Sequence, residues 1–343
     1  MRNRKPPVRW LAAGAGAVLV AALAGLAIGP VRLNPLGVLV TLVDLVPGVH
    51  LHSGLSTREA AIVTELRLPR VVLGLVVGSM LAVAGGSYQG IFRNPLADPY
   101  LLGVAAGAGL GATMVIALSH PGTGTPAAVP PAAFLGALGA VALTYGLGAA
   151  GARYRSPATL ILAGVAVSSF LTAGQTYLQQ RHADTIREVY SWLLGRLATA
   201  GWHDVLIVLP YAVVTMIVVL AHRRALDVLA VGDDEAASLG AHPRRTRMIL
   251  IVAASLGTAA AVAVAGLIGF VGIIVPHTVR LLAGPSYRVI LPLSALFGAA
   301  FLALADLAAR TVLAPAEIPI GVVTAFFGAP FFVIVLRNAG RAT

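Results

Sequence analysis

The sequence predicts an all-α integral membrane protein of about ten transmembrane helices, with both termini in the cytoplasm. Three observations carry that prediction. Of 343 residues, 58% are hydrophobic and only 11% are charged, whereas a soluble domain carries about 25% charge. Mean hydropathy is +0.89, and apolar runs near the ~20 residues that cross a bilayer recur along the chain. Threading ten spans from an inside start puts sixteen of the 24 lysines and arginines inside and eight outside, as the positive-inside rule requires.

The elements follow in order. Residues 1–9 form a cytoplasmic tail with Arg2, Arg4, Lys5 and Arg9. The apolar run 10–29 exceeds the ~7–15 residues of a signal-peptide core, so it reads as the first span. Residues 30–68 are more polar, with His50, His52, Arg58, Glu59, Glu65 and Arg67, and read as an outside segment with short interfacial helices. Further spans are expected at 69–91, 100–118, 130–151, 157–179, 204–221, 247–268, 269–284, 289–307 and 318–336. The eighth, 269–284, is short and follows the seventh with almost no loop. The whole chain, 1–343, reads as one integral membrane domain, with its largest inside loop at 222–247.

Small residues spaced four apart place glycines on one helix face, where a second helix can approach closely. Gly74/Gly78, Gly86/Gly90, Gly103/Gly107/Gly111 and Gly148/Ala152 do this. The stretch 266–280 concentrates the same property. Gly266, Gly269 and Gly272 suit close packing, Pro276 removes a backbone donor and bends or ends a helix, and His277 and Arg280 mark the water interface beyond.

Chemistry is excluded more readily than assigned. Zero cysteines exclude disulfides and thiolate sites. His50 and His52 form His-x-His without a third ligand and read as solvated loop histidines, so no metal site is expected. The +11 formal charge is scattered through short loops and does not form a nucleic-acid patch. Catalytic signatures are absent, and with Lys5 the only lysine the chain cannot build a P-loop. Asp306 and Glu317 lie near span ends, and Asp306 stands four residues before Arg310, where a helix pairs them. An ion-coupled secondary transporter, the rival from another class, needs charge at mid-membrane. The 222–247 loop is amphipathic, with Asp233, Asp234 and Glu235 suited to a helix amino-terminal turn. Gly240 and His242-Pro243 end that helix. A short helix of this kind docks in a groove of a partner.

Several motifs then coincide in order: Arg67-Leu-Pro-Arg70; Gln89-Gly-Ile-Phe-Arg-Asn-Pro-Leu-Ala-Asp-Pro99; Trp192-Leu-Leu-Gly195; Gly232 to Gly240; Gly269-Phe-Val-Gly-Ile-Ile-Val-Pro-His277; Ala305-Asp-Leu-Ala-Ala-Arg310; and Glu317-Ile-Pro-Ile-Gly-Val-Val-Thr324 with Gly328-Ala-Pro330. With these, residues 60–340 resemble the permease subunits of the iron-siderophore, haem and cobalamin ATP-binding-cassette importers.

The resemblance implies a type II ABC importer permease fold in the bacterial cytoplasmic (inner) membrane. It implies a second copy of the chain, two P-loop ATPase subunits that bind ATP and Mg, an extracytoplasmic substrate-binding protein and surrounding membrane lipid. It implies no cofactor on this chain and no nucleic acid. Carried over by position, Asp233, Asp234, Glu235, Ala236, Ser238, Leu239, Gly240 and Ala241 would couple to the ATPase. Arg67, Arg70 and Arg310 would meet acidic residues of the binding protein, on the side that the charge-based topology independently places outside. Gly164, Ser168, Ser169, Gln175, Tyr177 and Trp192 would line the translocation path.

Overall fold

The computed structural model describes residues 8–31, 33–44, 48, 53–119, 127–150 and 157–339, and among these there is no strand. The helices are α1 (Val8–Ala27), α2 (Pro35–Asp44), α3 (Thr57–Ala61), α4 (Leu68–Phe92), α5 (Val104–Leu118), α6 (Val129–Ala150), α7 (Pro157–Arg181) and α8 (Ile186–Leu193), then α9 (Trp202–Ala221), α10 (Arg223–Leu229), α11 (Asp233–Ser238), α12 (Pro243–Ala265), α13 (Val271–Ala283), α14 (Tyr287–Thr311) and α15 (Ile320–Ala339). Among the described residues seven helices are long and apolar enough to cross a membrane. The apolar helices α5, α13 and Ile320–Val335 are shorter.

Helix α4 is the axis. Every residue from Met80 to Phe92 is buried, and α14, α12, α13 and α9 pack around it. Small residues make this possible. A Cβ on Gly78 would strike the Gly298 carbonyl, and one on Gly85 would strike the Gly272 carbonyl. Between membrane helices, where lipid removes most of the hydrophobic drive, this closeness supplies the van der Waals attraction. The same device joins α5 to α6 at Gly107/Gly136 and Gly111/Ala132. Helices α5, α6 and α7 form a second group, and α12 bridges it to the first.

Several expectations change. The span expected at 69–91 begins earlier, because a π-helical stretch, Ile62–Arg67, makes 57–92 one continuous helix. A capping box starts it: the Glu59 amide donates to Ser56 Oγ at 3.3 Å and the Ser56 amide donates to the Glu59 carboxylate at 2.8 Å. The span expected from residue 100 starts at Val104, after turns through 93–102. Helix α13 has 13 residues, about 20 Å of helix, so it enters the bundle without crossing ~30 Å of hydrocarbon alone. It passes through Pro276 and ends only at Ala283, so the proline does not terminate it. His50, His52 and Ala152 lie outside the described residues, as do Arg2, Arg4 and Lys5 of the tail, whereas Arg9 falls in the first turn of α1.

Candidate functional site

The 222–247 loop is built outward from the bundle. In α10, Leu226 and Leu229 are buried. The Asp227 carboxylate accepts from Ser286 Oγ at 2.8 Å and from the Tyr287 amide at 2.6 Å. That carboxylate satisfies a donor at the start of α14 and faces its positive dipole end. Gly232, at φ +132, turns the chain into α11. There Ala236 is fully buried and Asp233 accepts from Arg247 Nη1 at 2.6 Å. The Arg247 hydrogen bond holds the Asp233 carboxyl below its ordinary range. Gly240, at φ +79, closes the helix: the Ala241 amide donates to Ala236 O at 3.0 Å and the Gly240 amide to Ala237 O at 2.9 Å, the Schellman pattern.

The eight residues expected to couple therefore divide. Asp233 and Ala236 hold the helix to the chain. Asp234, Glu235, Ser238, Leu239 and Gly240 are exposed, and Ala241 is half-buried. Leu239 is 70% exposed, an apolar knob beside two unpaired carboxylate positions.

The outer rim departs from expectation. Arg67, 5% exposed, donates to Leu26 O at 2.7 Å and Ala27 O at 3.0 Å, and also to Val31 O. It satisfies carbonyls at the carboxyl end of α1. Arg310, 3% exposed, donates to Gly25 O and lies 3.7 Å from the Asp306 carboxylate. Arg70 bridges Asp306 at 2.8 Å and Glu317 at 2.9 Å. All three guanidiniums make intrachain contacts that join α1, α4 and α14, and none is exposed in the way the docking expectation supposed. The i,i+4 pairing of Asp306 with Arg310 is present, but Arg70 makes the shorter contact. Beside this network a cavity of about 250 Å³ lies between Gly195–Thr199 and Glu317–Ile320.

The six path residues do not share a surface. Gly164 packs on the Leu101 carbonyl, Ser168 lies near Gly103, and Gln175 is buried on Gly109. Trp192 is buried in α8, its carbonyl against Gly266. Only Ser169 and Tyr177 are exposed, and Thr172, Thr176 and Gln180 share their side of α7. Sequence reading could have separated these sets by helical period, because 164, 168 and 175 fall on one face and 169, 172 and 176 on another.

In the glycine stretch, Gly266 adopts φ +71 and closes α12, and Gly272 packs on Pro99 and the Leu81 carbonyl. Gly269 has no neighbour within 4 Å of a Cβ position, so it makes no close approach. Pro276 packs near Gly86. His277 is buried, its ring edge-on to Phe331 at 5.8 Å.

The profile of the FecCD transport family matches residues 17–338. The chain belongs to the FecCD transport family. Among its FecCD relatives, the cobalamin import system permease protein BtuC of Halobacterium salinarum is 46% identical over 288 residues, covering 84% of this chain and 76% of that one. The hemin transport system permease protein HmuU of Yersinia pestis is 38% identical over 296 residues, covering 82% and 86%. A solved structure described as an inward-facing conformation of a metal-chelate type ABC transporter superposes with a TM-score of 0.84 at 29% identity, covering 97% of this chain and 100% of that one. This FecCD protein is a multi-pass membrane permease of the ABC transporter class, with transport as its role.

Proposed function

We propose that the chain is the permease subunit of an ATP-driven importer of an iron-siderophore or related metal chelate, with haem or cobalamin as the alternative substrate. Relatives named for cobalamin, hemin, Fe(3+)-citrate and iron(3+)-hydroxamate import support that substrate range as a whole. Two copies enclose the path, two P-loop ATPase subunits bind ATP and Mg on the cytoplasmic side, and an extracytoplasmic binding protein delivers substrate onto the outer rim. The setting is a bacterial cytoplasmic membrane, with ten crossings and both termini inside. Transport runs by alternating access as ATP closes the ATPase pair.

The observation that carries this reading is α11: a short helix pinned by Asp233–Arg247 with its acidic and apolar residues turned outward. Ser169 and Tyr177, with Thr172 and Thr176, give α7 a mixed polar face suited to weak contact with a bulky solute. Gly164, Ser168 and Gln175 hold that helix against its neighbours, and Trp192 is buried in α8.

A self-contained ion-coupled carrier fits less well. Among the described residues the buried carboxylate within a long span is Asp306, and Arg70 and Arg310 neutralise it. The test is affinity purification from native membranes with identification of every accompanying chain. A co-purifying P-loop ATPase and binding protein support the importer, and the binding protein's ligand names the substrate. A chain that comes down alone and transports without ATP overturns it.

A further inference from the structure

A second feature lies beside α11, at the edge of the apolar core. A cavity of about 280 Å³ is lined by Gln89, Arg93, Arg280, Tyr287 and Ala230 among others. Arg280 Nη2 donates to Gln89 Oε1 at 3.0 Å and Tyr287 Oη at 3.2 Å, both neutral acceptors. Its guanidinium carbon lies 5.2 Å from the Tyr287 ring centre. Its Nε is buried and has no hydrogen-bond partner. Among the described residues no carboxylate ion-pairs with it. Arg93 adds a second guanidinium. It ends α4 at φ 51, its side chain is 40% exposed, and its nearest acid is Asp233 at 3.8 Å, already held by Arg247.

Two cations around a cavity with an unsatisfied buried donor form an anion site. Its position identifies the kind of anion. Ala230 belongs to the turn between α10 and α11, the next residue Val231 is 52% exposed, and Asp233 joins Arg93 to α11. The basic cavity, the acidic face of α11 and the apolar Leu239 thus form one continuous surface. We infer that this cavity is a socket for an acidic side chain of the ATPase subunit that docks on α11, a second contact of opposite charge to the first. The inference rests on the importer reading. A partner complementary to the whole surface carries basic groups opposite Asp234 and Glu235 and a carboxylate opposite Arg93 and Arg280. Such bipolar matching fixes register and excludes wrong partners.

The sequence supplies an unusually clean test, because Lys5 is the only lysine. In the co-purified complex, Arg93→Lys places one new primary amine in the socket without removing the charge. A zero-length carbodiimide should then join residue 93 to an Asp or Glu of the ATPase subunit, read as one cross-linked peptide. Separately, Arg93→Gln should lower the ATPase subunit retained at low salt by about fivefold, with the difference shrinking at high salt. A link only to Asp233 of the same chain, unchanged retention in Arg93→Gln, or loss of the link on adding phosphatidylglycerol, which would make the socket a lipid headgroup site, each overturns the inference while leaving the importer intact. If the wild-type chain retains no ATPase subunit, both fall together.

Discussion

At the scale of single residues, the chain answers buried charge with local partners. Asp306 is buried between Arg70 and Arg310, and removing one partner from such a group leaves an uncompensated charge, at a cost of about 3–5 kcal/mol. We expect Arg70→Ala, which also releases Glu317, to lower the melting temperature of the solubilised chain more than Glu317→Ala does. Equal melting of the two variants would show that the triad is not what joins α4 to α14. Asp233 gives a pH dependence. Its carboxyl sits below the ordinary value of 3.8 because Arg247 stabilises the charged form. The group's contribution is therefore present above that value and lost as pH falls through the folded-state value. Amide exchange across α11, corrected for intrinsic rates, should stay protected from neutral pH down to about 4 and become unprotected only below it. Protection that persists in Asp233→Asn at pH 7 would remove Arg247 from the account. These partners were only partly legible. The i,i+4 spacing announced Asp306 with Arg310, but nothing local announces Arg70 with residues more than 230 positions away, or Arg67 turning back onto α1.

At the scale of elements, glycine marks contact lines, and the register shows where to look but not which member is decisive. Gly85 and Gly269 both sit in glycine-rich runs. Gly85 touches the Gly272 backbone, and Gly269 has open space around it. Gly85→Ala should force α4 and α13 apart, reducing the folded yield by well over the ~1 kcal/mol range of an ordinary surface change, whereas Gly269→Ala should express and melt like the parent. Comparable yields from the two variants would refute this division. The six path residues show the same limit. Their residue types suited a passage, but a strand of helix has several faces, and only the packed neighbours decide which one is open. Element ends were misread for a related reason. Hydropathy marks where the chain becomes apolar, whereas helix ends are set by residues such as Ser56, Gly232 and Gly266, whose effects lie in hydrogen bonds and positive φ, and of such stops Gly240 was legible in the sequence.

At the scale of the whole molecule, composition made class and order legible, because a chain this apolar has one solvent to live in and helix is its available form. The arginine distribution predicts a sidedness that can be checked directly. The chain has no cysteine, so Leu239→Cys creates a unique thiol on a 70% exposed position. With the chain expressed without its partner subunits, a membrane-impermeant maleimide should modify it in inside-out vesicles and leave it untouched in intact cells. The opposite pattern would invert the topology.

Asp227 fastens the loop helix to the first residue of α14, and Asp306 and Arg310 fasten the far end of that same helix to α4 and α1. In mechanical terms α14 is a connecting rod. Its 25 residues span about 37 Å and are clamped at both ends by hydrogen bonds to charged groups. Pro292 removes one backbone donor near the loop end of that rod, so a load applied to the loop meets this weaker turn before it reaches the clamp at Asp306 and Arg310.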